Sequence, residues 1–137
     1  MAYYEIHKAL TQSLIDLGLS ATIAHENVDF NPETDVTGNQ FLDVTLITND
    51  QDSLTKAELD EVTGIYQVSV YTKSGASVKK ALQTVDTIMS HYKHNLSIVN
   101  GSQTVVVINS GRNAGRNQNG WFIIDVSISF KSDIQRT

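Results

Sequence analysis

The sequence predicts an α+β domain: a mostly antiparallel sheet of about five strands with two helices packed on one face, in the order α-β-β-β-α-β-β. Three observations predict it. From Trp121 to Phe130, the apolar residues Phe122, Ile124, Val126, Ile128 and Phe130 fall at every second position, as in a strand with one buried face. Gly64 to Tyr71 alternates in the same way. Straight after it, Val78, Ala81, Leu82, Val85, Ile88, Met89 and Tyr92 line one side of a helix.

Taken in order, Ile6, Leu10, Leu14 and Leu17 share one side of a helix from about Tyr4 to Leu17, and Gly18 is its stop. Ala21 to Val28 is rich in β-branched residues but alternates poorly, and it runs into Asn31-Pro32-Glu33, so a short strand and a long loop are expected. Leu42, Val44 and Leu46 alternate with Asp43 and Thr45 in a second strand, Phe41 to Thr48. Asn49 to Glu61 sets Asp50, Asp52, Glu58, Asp60 and Glu61 against Lys56 and reads as a solvated connection of unusual length, which hints at a binding surface. A third strand spans Val62 to Tyr71. In the helix that follows, Ser74 or Ser77 is the candidate cap, and His91, Lys93 and His94 lie where a helix C-terminus favours positive charge. Thr104 to Asn109 and Trp121 to Phe130 close the sheet, joined by a long, mobile tip from Ser110 to Gly120.

With 137 residues, no internal repeat and no linker, one domain over residues 1–137 and one core are expected. The absence of cysteine removes disulfides, thiolate metal sites and cysteine nucleophiles together. No apolar run is long enough to span a membrane, and the first residues do not read as a secretory signal, so folding in a cytosol is expected. The matches Asn95-Leu96-Ser97 and Asn100-Gly101-Ser102 are then chance occurrences of a glycosylation pattern. A net charge of -5 opposes adsorption to nucleic acid, where neutralisation of phosphates by Lys and Arg supplies the affinity.

No catalytic constellation, cofactor site or metal site is expected. His91 and His94 lack a carboxylate at ligand spacing, and His25-Glu26 are strand neighbours facing opposite sides. Gly111-Arg112-Asn113-Ala114-Gly115-Arg116 lacks the Gly-Lys-Ser/Thr ending of a phosphate loop and leads into a strand. Asp50-Gln51-Asp52-Ser53 has neither the glycine nor the glutamate of a calcium loop. The functional reading falls instead on the tip. Arg112 and Arg116, flanked by Asn113 and Asn117, are placed to fork onto carboxylates of another chain, with a merely solvated loop as the other reading.

With these residues placed, the whole chain resembles the small tail terminator (tail completion) proteins of long-tailed bacteriophages. The resemblance is carried by Tyr4-Glu5-Ile6-His7-Lys8-Ala9-Leu10, by Ile23 to Pro32, by Gly64 to Val70 followed by a Gly75-containing turn and the long helix, and by the strand from Trp121 to Phe130. It departs from the commonest pattern at His25, where an aromatic residue often precedes Glu-Asn, and in the Asn-rich tip. The resemblance implies a non-enzymatic virion protein, assembled in host cytoplasm and sited at the head-proximal end of the tail. It implies a ring, typically a hexamer, on the last ring of tail tube protein, which ends tube polymerisation and offers a surface to the head–tail connector. DNA would pass through such a ring without specific binding, and Asp50, Asp52, Glu58, Asp60 and Glu61 are the candidates for lining its path. A different neck component and a cellular ligand-binding domain of the same architecture are the alternatives.

Overall fold

The computed structural model describes residues 2–19, 22–24, 40–48, 59–73, 78–100 and 103–135. Helix α1 spans Ala2–Asp16. Strands β1 (Thr22–Ala24), β2 (Gln40–Thr48) and β3 (Leu59–Lys73) follow, then helix α2 (Val78–His91) and strands β4 (Ser97–Asn100), β5 (Gln103–Arg112), β6 (Arg116–Gln118) and β7 (Trp121–Gln135). The sheet order is β1-β2-β3-β7-β5-β4, with β6 also paired to β7. Only the β1–β2 pair is parallel among these.

The α+β class, the antiparallel bias and both helices agree with the sequence reading, whereas the strand count and order do not. Among the described residues there are seven strands, and β4 and β6 are the additions. The tip is also more ordered than expected, because β5 runs on to Arg112 and β6 folds back along β7. Leu59, Asp60 and Glu61 belong to β3 and not to a connection. Asp50, Asp52, Glu58, His25-Glu26 and the candidate caps Ser74 and Ser77 lie outside the described residues.

The spine of the molecule is the β3–β7 pair, in register from Leu59 opposite Gln135 to Lys73 opposite Trp121. Even-numbered residues of both strands face the helices. Tyr66, Val68, Val70, Ile124, Val126, Ile128 and Phe130 are buried there, against Ile6, Leu10 and Leu14 of α1 and Ala81, Val85 and Ile88 of α2. Polar groups in this layer are satisfied. The Tyr66 hydroxyl is 2.7 Å from Thr11 Oγ1, and the Tyr92 hydroxyl donates to the Leu10 carbonyl at 2.8 Å, which joins α2 to α1. Burial drives the Tyr92 phenol well above its ordinary pKa. Gln40 ties sheet to helix, donating to Thr72 Oγ1 (3.1 Å) and accepting from Thr84 Oγ1 (2.9 Å). Each buried bond offsets a desolvation cost that an unpaired group would leave standing.

The helix-free face carries the odd-numbered residues. At one end Phe41 stacks on Tyr71 at 4.4 Å between ring centroids, and Trp121 meets Phe41 edge-on at 4.9 Å. At the other, Ile47 and Ile65 are register partners and both are exposed.

Candidate interaction surface

The segment that carries Arg112 and Arg116 is an arm built from β5, β6 and β7. Between β5 and β6 the chain holds one residue more than the facing stretch of β7, because Arg112 lies opposite Val126 and Arg116 opposite Ile123. The ladder bulges there. Asn113 closes the bulge: its N–H donates to the Asp125 carbonyl (3.1 Å), and its Oδ1 accepts from the Asp125 N–H (3.0 Å), standing in for a strand carbonyl. Past β6 the chain reverses at Asn119-Gly120, whose φ angles are 51° and 84°. Two consecutive positive φ values make a two-residue turn of the kind that matches strand twist, and Asn-Gly is the dipeptide best able to adopt it.

Asp125 is the centre of the arm. Its carboxylate accepts from Ser69 Oγ (2.6 Å), Asn113 Nδ2 (2.9 Å) and the Arg116 guanidinium (2.7 Å). Partial burial alone would raise its pKa, but the bonds from Ser69, Arg116 and Asn113, together with the Arg116 charge, outweigh that and hold it below the ordinary value of 3.8. Nearby, Tyr71 is pushed up by burial and by Asp43, while Arg116 pulls the other way.

Arg116 therefore meets a carboxylate of its own chain. Arg112 is exposed, and its guanidinium reaches the adjacent Asn113 carbonyl only at 3.4 Å. Asn117 is exposed opposite Phe122. Asp60 and Glu61 sit opposite Ile134 and Asp133, at the far end of the β3–β7 ladder from the arm. Sequence reasoning did not find Asp125, Ser69 or the clamp role of Asn113, and the signal it passed over was Asn119-Gly120 directly before the alternating run.

The two helix-end histidines do not act together. His91 Nε2 lies 2.6 Å from Ser13 Oγ on α1, and His94 Nδ1 donates to the Ile108 carbonyl at 2.7 Å. Partial burial lowers the His91 pKa below its ordinary value. Among the described residues there is no group of three or more His, Cys, Asp or Glu that could hold a metal ion, and no helix is long and apolar enough to cross a membrane.

Asp125→Asn is expected to loosen the arm without unfolding the domain, since it removes the charge from three hydrogen bonds and about 1–2 kcal/mol of local stability. The pH sign follows from the depressed pKa. The stabilisation is complete above about pH 4, and it is lost as pH falls through the folded-state value. Protection factors of the amides over residues 113–123, taken against the intrinsic rate at each pH, should therefore fall in acid in the wild type and be low already at neutral pH in Asp125→Asn. Equal protection in the two proteins at pH 7 would refute the clamp.

None of the curated proteins compared matches the chain. Eight solved chains do. One of them superposes with a TM-score of 0.77 at 16% sequence identity, covering 100% of this chain and 99% of its own, a likeness of fold alone. A family model described as phage tail terminator protein matches residues 5–130.

Proposed function

The chain belongs to the phage tail terminator protein family, and from that premise we propose that it caps the tail tube, ends tube polymerisation and forms the tail-side surface for head–tail joining. Membership makes it a structural protein of the phage tail that interacts with other tail components. The observation that carries the reading is the extent of the match, which runs from the first turn of α1 to Phe130 at the heart of β7. The chemistry agrees with a passive role. The buried polar side chains of the described residues all have partners inside the chain, so the core layer holds no group waiting for a substrate.

The protein acts as a homo-oligomeric ring, hexameric by the family resemblance, seated on tail tube protein and presented to the connector. A head-to-tail interface that closes by rotation gives such a ring. Among the described residues, the sheet edges β1 and β4 and the arm are the parts of the fold we assign to such contacts. DNA passes through the ring, and the acidic residues Asp50, Asp52, Glu58, Asp60 and Glu61 are the ones we assign to its path, where their charge would repel phosphate. The test is a phage lacking this protein, imaged by electron microscopy: tails longer than wild type are expected. Tails of normal length that fail to join heads would overturn the capping role and make it a joining protein.

A further inference from the structure

The turn that closes the arm carries a chemistry of its own. Asn119 holds an electrophilic side-chain carbonyl, Gly120 supplies the next backbone nitrogen, and attack of that nitrogen on Asn119 Cγ closes a five-membered ring. Both residues are exposed, and nothing lies within 4 Å of the place a Gly120 Cβ would occupy. Gln118 and Trp121 are register partners, so the two residues between them stand outside the β6–β7 ladder. The other asparagines of the arm differ. Asn113 has both side-chain atoms engaged, Nδ2 on the Asp125 carboxylate and Oδ1 on the Asp125 N–H. Asn117 lies within β6 and is followed by Gln118, whose Cβ crowds the nitrogen that would attack.

The backbone of this turn lies one rotation away from the reactive arrangement. With φ of 51° and 84°, Asn119 and Gly120 take the mirror-image type I form, in which the first residue has ψ near about 30°. Ring closure brings the Gly120 nitrogen round to the Cβ side of Asn119, at ψ near about −120°, the value at the first central position of the mirror-image type II turn. The φ of Asn119 is nearly the same in both. Only the peptide plane between the two residues turns over, carrying Gly120 φ from positive to negative. The flanking strands keep their places, because both forms are two-residue connections that match strand twist. Open space around Gly120 leaves that plane room to turn.

We infer that Asn119-Gly120 is a site of spontaneous self-modification, at which the arm ages from asparagine to isoaspartate and loses β6. Hydroxide takes the Gly120 amide proton, the nitrogen forms a bond to Asn119 Cγ, and the Cγ–Nδ2 bond breaks as ammonia leaves with a proton from water. Water then opens the succinimide. Cleavage of the ring bond from nitrogen to Cγ yields aspartate, and cleavage of the bond to the backbone carbonyl carbon yields isoaspartate, whose main chain runs through Cβ and Cγ. The net change is one water in and one ammonia out. Isoaspartate lengthens the main chain by an atom in a turn whose length sets strand register. The three residues of β6 are all exposed, with no buried side chain to hold the strand in place, so β6 unpairs and Arg116 parts from Asp125. None of this depends on the terminator reading.

The test uses purified full-length protein aged at mildly alkaline and at mildly acidic pH, with Asn119→Gly and Asn119→Asp beside it. Peptide mapping by mass spectrometry should find the change from amide to acid at residue 119, at a rate that rises in proportion to hydroxide, and isoaspartate-specific methylation should mark the product. Aged wild type should lose amide protection over residues 116–118 and 121–123. Asn119→Gly can make the same turn without a side-chain carbonyl and should keep that protection through the same ageing. Fresh Asn119→Asp should keep it too, which separates the added backbone atom from the added charge. The other Asn-Gly pair of the sequence, Asn100-Gly101, serves as an internal clock. Asparagine persisting at 119 through alkaline ageing would overturn the inference, most plainly where Asn100 has converted. So would isoaspartate at 119 with the arm still protected, or loss of protection in aged Asn119→Gly or in fresh Asn119→Asp.

Discussion

Val126→Asp is expected to abolish folding. Val126 is fully buried on the helix side of β7, opposite Val68 of β3 and within the core that both helices cover. A carboxylate there is either ionised with no cation in the core to pair it, or protonated at the cost of a strongly raised pKa. Either way the cost is several kcal/mol, to which loss of the Val side chain adds about 2 kcal/mol. A domain of this size is stable by about 5–15 kcal/mol in all, so most of the native population is lost. Circular dichroism of the purified variant, or its recovery only from insoluble material, reads the outcome. Val126→Ala is the control, expected to keep a cooperative melt at a lower temperature. A Val126→Asp protein that melted within a few degrees of wild type would mean that β7 presents its other face to the helices.

That other face begins one residue away, at Asp125, and the contrast shows what the sequence made legible. Where a strand has one dry face, alternation is visible, and β2, β3 and β7 were readable for that reason; α1 and α2 were readable from their stripes. β6 was not, because Arg116, Asn117 and Gln118 are all exposed and neither side selects for apolar residues. β4 has four residues, too few for a period to declare itself against the helix end before it. The outer ends of β3 and β7 were missed for a related reason. Leu59 to Glu61 and Lys131 to Gln135 pair through the backbone, and backbone pairing leaves no mark in a polar sequence. Of the arm, the arginines drew attention through their charge. The carboxylate that one of them serves did not, because Asp125 looks like any polar residue in the wet half of an alternating strand, and Ser69 is 56 residues from it in sequence.

Gly64→Ala is expected to destabilise the domain by about 3 kcal/mol, against the usual direction for this exchange in a strand, where glycine is the weaker residue. Gly64 lies in β3 between Thr48 of β2 and Phe130 of β7. A Cβ added there would run into the Ile47 carbonyl oxygen and stand 3.1 Å from both Thr48 Cα and the Phe130 ring. The nearest obstacle is backbone, so no change of rotamer relieves it, and β2 must move away from β3 at the end of their ladder. The Phe130 ring cannot yield easily either, being fully buried. The variant should melt roughly 10 °C below wild type. Gly111→Ala, with nothing within 4 Å of the added carbon, should melt as wild type does. If both melted alike, β2 and β3 could not approach at Gly64 as closely as their register requires, and the exposed Ile47–Ile65 pair beside it would not be held together on the helix-free face.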